Sequence, residues 1–119
     1  MSEISREAET FVCRWLEERG WSIETRNFRT RRSEIDIIAG KEDVLSFVEV
    51  KFASDSSATI TLDKIDSEKQ ARIIHSASAY LSKNPPSGQI RFDVAVVRGS
   101  SQNLRMETYL EDAFRPDMM

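Results

Sequence analysis

The chain lacks the side chains on which most metal and redox sites are built. A single cysteine, Cys13, excludes an internal disulfide and any cysteine-based zinc cluster. A single histidine, His75, excludes a two-histidine or histidine–cysteine ligand set. Both lie in helical patterns, where Cys13 reads as a half-buried small apolar residue and His75 as a surface residue. No segment approaches the roughly 18 consecutive apolar residues of a membrane span, and Met1 to Glu7 is charged without an apolar run. The expectation is therefore a cytoplasmic protein with no membrane partner. An excess of positive charge is also missing: 17 basic residues stand against 20 acidic ones, for a net charge of −3. That is not the footprint of a strong nonspecific nucleic-acid binder. Bound metal would cancel part of the acid, so the sign leaves a nuclease open and predicts weak substrate binding by this chain alone. Repeats, linkers and a second domain are absent, and the 119 residues fit one domain, 1–119, around a modest core.

What is present centres on Glu34 to Lys51. Glu34-Ile35-Asp36-Ile37-Ile38 and Phe47-Val48-Glu49-Val50-Lys51 alternate polar and apolar residues, as half-buried strands do. Ala39 to Asp43 between them has turn composition. A hairpin with Asp36 opposite Glu49 sets Gly40 opposite Leu45 and leaves Lys41 to Val44 as the loop. Alternation then directs Asp36, Glu49 and Lys51 to one sheet face and Ile35, Ile37, Val48 and Val50 to the other. Converging carboxylates repel, and a divalent cation relieves the conflict. Hard oxygen ligands suit Mg²⁺, with Mn²⁺ as the substitute, and Lys51 would orient a metal-bound water or a phosphate oxygen. A solvated salt bridge from Lys51 to Asp36 or Glu49 satisfies the same spacing.

Around this hairpin the chain reads in order. Ala8, Phe11, Val12, Trp15 and Leu16 predict an amphipathic helix from about Ser5 to Arg19, closed by Gly20, with Glu9 on the rim of its apolar stripe. Trp21 to Thr25 predicts the first strand. Arg26 to Arg32, with four arginines in seven residues, predicts a loop beside the Asp36 strand. Arg29, Arg31 and Arg32 there could clamp phosphates or simply balance nearby acids. Phe52 to Leu62 is small and polar, a candidate flap over the site or a segment without a role. Ser67 with Gln70 suggests a capping box for a second helix whose stripe is Ile73, Ile74, Ala77, Tyr80 and Leu81, ending at Lys83-Asn84-Pro85-Pro86. Lys69 lies on its buried side, where a lysine lays its stem on the core and extends its ammonium outward. Arg91 to Val97 predicts an interior strand reached by a right-handed crossover. Leu104 to Tyr109 predicts a closing strand, and Asp112-Ala113-Phe114 a terminal turn that docks Phe114.

The acidic residue, hairpin and Glu-x-Lys string resembles the PD-(D/E)xK motif of restriction-endonuclease-like nucleases. A wider set of residues resembles the YraN family of bacterial proteins, related in fold to Holliday-junction resolvases. The set comprises Glu9, Trp15-Leu16, Gly20, Asn27, Glu34 to Ile38, Phe47 to Lys51, Lys69, Ala77, Tyr80-Leu81, Arg91 to Val94 and Ala113-Phe114. The resemblance implies an α/β, restriction-endonuclease-like fold: a central mixed sheet flanked by helices, in the order α-β-β-β-α-β-β. It also implies a Mg²⁺-dependent endonuclease acting on DNA, branched or structured DNA included, with a homodimer left open. Asp36 and Glu49 would be the metal ligands, Lys51 the water-activating residue, Glu9 an outer ligand and Lys69 a phosphate contact. The chain departs from the family pattern at four positions. Ser5, Ser33 and Thr59 stand where glycines are usual, and Ala53 replaces a basic residue. A non-catalytic module that keeps the fold to bind nucleic acid or protein is the competing reading.

Overall fold

The apolar stripe predicted for the first helix is the inner face of α1 (Glu3–Glu18), where Ala8, Val12, Cys13 and Leu16 are buried. These coordinates are a computed structural model and describe residues 3–55 and 65–116. The chain continues through β1 (Ser22–Arg29), β2 (Glu34–Lys41), β3 (Val44–Ala53), α2 (Ser67–Lys83), β4 (Gln89–Ser100) and β5 (Asn103–Leu110). The strands form one five-stranded sheet in sequence order. Its pairs are antiparallel except the parallel β3–β4, which α2 connects. The expected element order is thus present.

Each helix covers one face. Against α1 pack Ile37, Ala39, Val48, Ala95 and Val97. Against α2, through Ile73, Ala77 and Tyr80, pack Ile35, Ile38, Leu45, Phe47, Phe92, Val94 and Val96. Phe47 stacks on Phe92 at 5.4 Å and meets Tyr80 edge-on at 6.1 Å, and Phe114 docks on Phe92 at 5.1 Å. The β4 strand is interior on both faces, which is why it reads as an almost unbroken apolar run.

Local chemistry sets the element ends. Gly20 takes φ +93°, and Trp21 N–H reaches Leu16 O at 3.1 Å while Gly20 N–H reaches Glu17 O at 3.1 Å. These bonds close α1 as a Schellman motif, for which glycine is suited. The cap of α2 is Asp66 rather than Ser67: its side chain accepts the Lys69 N–H at 2.8 Å. The loop assigned to Lys41–Val44 is shorter than expected, because Lys41 pairs with Val44 and only Glu42 and Asp43 turn. Glu42 accommodates the tightness with φ +56°. The strand β1 also runs to Arg29, so half of the presumed arginine loop is paired backbone. His75 is exposed and Cys13 is fully buried rather than half-buried. Most of the proposed flap, including Thr59, lies outside the described residues. Among those described, no helix is long and apolar enough to cross a membrane.

Phe47, 1% exposed, touches both the aromatic stack and α2. Phe47→Ala is expected to cost about 3–5 kcal/mol of unfolding free energy, read from the denaturant midpoint and slope. A loss below about 1 kcal/mol would show that Phe47 is not central to this core.

Candidate metal and phosphate site

The β2–β3 ladder runs from Lys41↔Val44 to Ile37↔Val48 and then opens, while β3 stays paired with β4 as far as Ala53↔Arg98. Asp36 is the next residue of β2 past the last pair. Its Oδ2 accepts the Val50 N–H at 2.7 Å, so a side chain takes a backbone donor at the opening. Across β1, Asn27 falls between the pairs Arg26↔Ile37 and Phe28↔Ile35 and has φ +53°, a conformation asparagine tolerates. Regular alternation fails here. Ile35 packs on the α2 side, whereas Ile37, Val48 and Val50 pack on the α1 side. The expectation that these four share a face is corrected: the irregular backbone sets Asp36 in the seam between faces.

The seam lets groups from both faces meet. From α1, Glu9 is 4% exposed, not on an open rim, and Asn27 Nδ2 donates to its Oε1 at 2.8 Å. From β3, Glu49 lies on the α2 side, 8% exposed, with Lys69 Nζ 2.7 Å and Lys51 Nζ 3.8 Å from its Oε2. Glu49 and Glu9 crowd Asp36, and the charge of each raises its carboxyl. Glu9, Asp36, Glu49, Lys51, Lys69 and Arg29 line one open cleft of about 440 Å³.

Electrostatics follow from this crowding. Burial, then the hydrogen bond and charge of Glu49, push the Asp36 carboxyl up to about 9, against the lowering pull of the Val50 N–H. Asp36 therefore favours its protonated form well above the usual carboxylate range. Burial also raises Glu9, although Asn27 and Arg26 oppose it. Burial and the neighbouring Lys69 lower the Lys51 ammonium, more than Glu49 supports it. Burial, the largest single influence, lowers Lys69 too, but the bond and charge of Glu49, with Lys51 and Asp36, together outweigh it and the net shift is upward.

The donor set fits a hard divalent cation. Two crowded, buried carboxyl groups that disfavour joint ionisation would share a metal, with water and substrate oxygen completing the shell. Among the described residues, no group of three His, Cys, Asp or Glu side chains could hold a metal between them, so those outside ligands are required.

The arginines separate. Arg29 lies at the cleft and pairs with Glu34 at 3.0 Å, and Arg31 and Arg32 are exposed on the turn beyond it. Arg26 instead turns toward α1, donating to Thr10 Oγ1 at 3.1 Å. The single dense patch read from the sequence is thus dispersed, with Arg26 held at α1 beside Glu9 at 3.9 Å and Arg29 held at Glu34. The turn is fastened to α2: Ser76 Oγ lies 2.7 Å from Thr30 Oγ1 and 2.8 Å from Ser33 Oγ, which also donates to Arg72 O at 3.0 Å. Ser33, unusual for the family pattern, is one of these fastenings. Periodicity did not reveal a buried network at the other end of α1. There Asp93, fully buried, accepts from Ser46 and Tyr109 hydroxyls at 2.7 Å each and from Arg91 at 2.9 Å. The Arg91-x-Asp93 spacing, with both side chains on one face, was its only sequence signal.

A carboxyl raised from 3.8 in the unfolded chain to about 9 contributes stability fully present below pH 3.8 and lost as pH rises through about 9. Asp36→Asn mimics the protonated acid, keeping an acceptor for Val50 N–H and a donor for Glu49. In EDTA, the parent's urea midpoint should fall relative to that of Asp36→Asn between about pH 5 and 8, and the variant should be at least as stable at neutral pH. Parallel pH profiles would show that Asp36 is already ionised.

The comparisons agree with the residues that carry the resemblance. The profile of the Uncharacterised protein family UPF0102 matches residues 8–97, which include every candidate site residue. A UPF0102 protein of Chlorobium phaeobacteroides is 43% identical over 96 residues, covering 80% of this chain and 76% of its own. One from Bacteroides thetaiotaomicron is 32% identical over 117 residues, covering 98% and 96%, and one from Dictyoglomus thermophilum 37% over 114 residues, covering 94% and 97%. With a family match over most of its length and relatives that align nearly end to end, this chain belongs to the UPF0102 family, the YraN family of the sequence resemblance.

Proposed function

We propose that this protein is a Mg²⁺- or Mn²⁺-dependent endonuclease that hydrolyses DNA phosphodiester bonds, with branched or structured DNA among its substrates. The observation that carries this reading is the Asp36–Glu49 carboxyl pair at the open end of the β2–β3 ladder, with Lys51 beside it. Asp36 and Glu49 would hold the cation, and Glu9, fixed by Asn27, would support it from behind Asp36. When bound, the metal supplies a lowered water pKa and neutralises charge in the in-line transition state. Lys51, its pKa lowered by burial, would orient the attacking water and accept its proton at Nζ. Arg31 and Arg32 on their fastened turn would bind backbone phosphates flanking the cleft, with Arg29 at its wall. The resemblance to PD-(D/E)xK nucleases and the α-β-β-β-α-β-β order support the same chemistry.

A non-catalytic binding module is the second reading, favoured by two observations. The net charge is −3, and Ala53 lies buried at the end of β3 where the family pattern carries a basic residue. A cleavage screen over single-stranded, duplex, flap and four-way-junction DNA, with Mg²⁺, Mn²⁺ or EDTA, separates the two. The expected outcome is metal-dependent cleavage, abolished in Glu49→Ala and reduced about 10²-fold or more in Lys51→Ala. Cleavage that persists unchanged in Glu49→Ala, or none on any substrate, would contradict the enzyme.

A further inference from the structure

Lys69 is placed more tightly than a surface phosphate contact needs to be. Asp66 caps α2 and accepts the Lys69 N–H, which fixes this residue in the first turn facing the sheet. Its ammonium lies 2.7 Å from Glu49 Oε2, closer than Lys51 at 3.8 Å to the same oxygen. The Lys69 side chain keeps about a third of its surface exposed, at 36%, while that of Glu49 is 9% exposed. The lysine therefore has an outward path and the carboxylate does not. Lys69 and a divalent cation on Glu49 would compete for the same oxygen, because like charges that close repel strongly in a partly desolvated cleft.

The geometry points to Lys69 as an internal stand-in for the metal. It neutralises Glu49 in the metal-free protein, leaves that carboxylate when a divalent cation binds, and is then directed toward a phosphate oxygen in the cleft. This role rests on the metal-site reading and goes beyond a plain phosphate contact, since it reverses the expected effect of removing the lysine. A residue that only contacts substrate would leave metal affinity unchanged when replaced. A stand-in lowers metal affinity while it is present. It would also link the two ligands, because a phosphate that draws Lys69 outward frees Glu49 for the cation, and the cation frees Lys69 for the phosphate.

The test is a Mn²⁺ titration of the full chain by calorimetry without DNA, comparing the parent with Lys69→Met and Lys69→Arg. It is paired with amine-reactive labelling of Lys69 in the parent, with and without saturating Mg²⁺. Lys69→Met should tighten the Mn²⁺ Kd by about tenfold or more, while Lys69→Arg, which keeps the charge, stays near the parent. Mg²⁺ should raise the labelling rate of Lys69 in the parent, since the ammonium then leaves Glu49 for solvent. Mn²⁺ binding by the parent with Lys69→Met equal or weaker, or Lys69 labelling indifferent to Mg²⁺, would overturn the stand-in and leave the metal site standing. Absence of Mn²⁺ binding in all three proteins would remove the metal site and this inference together.

Discussion

The crowding of the buried Asp36 carboxyl against Glu49 is the constraint on which the site depends. Two ionised carboxylates this buried would cost several kcal/mol if left unpaired. The fold meets that cost by three means at once. Asp36 favours its protonated form, its Oδ2 takes the Val50 N–H, and Lys69 and Lys51 stand at Glu49. The Val50 bond depends on the ladder opening after Ile37↔Val48, since a continued antiparallel pair would spend the backbone donor elsewhere.

The opening in turn depends on its surroundings. Asn27 in a left-handed conformation breaks the alternation of β1 opposite Asp36, and its amide directs Glu9 from α1 into the seam. On the other face, the capped first turn of α2 delivers Lys69, and Ser76 one helical stretch later fastens the β1–β2 turn. Elsewhere the sheet is closely packed on both faces. The Phe47–Phe92–Phe114 stack fills one face, and buried Asp93 with its donors ties β3, β4 and β5 together on the other. A sheet packed closely at one end can carry crowded, partnered carboxyl groups at the other, which is where folds tend to place chemistry.

Element types and order were legible in the sequence because they rest on periodicity, and all seven elements have strong periods or strong punctuation. The hairpin register was legible too, since Gly40↔Leu45 follows from matching two alternating strings. The face assignment of Ile35 was not, because it assumes unbroken alternation, and alternation ends at Asn27 and Asp36. The burial of Glu9 was hidden for the same reason. Helical geometry places it at the edge of the α1 stripe, and only the seam below it makes that edge an interior. The arginines read as one cluster because sequence proximity says nothing of strand direction, and pairing sends Arg26 and Arg29 to different surroundings. Lys69 was placed on the correct side of its helix, but its partner lies 20 residues away on β3 and follows only from the parallel crossover.

The central claim is that the proton favoured on buried Asp36, beside Glu49, stands where a cation would sit. Proton release on metal binding tests it most directly. Mg²⁺ or Mn²⁺ is titrated into the weakly buffered protein near neutral pH while the pH is followed. The account predicts about one proton released per ion bound, and none from Asp36→Asn. Binding without proton release, or no binding at all, would contradict it.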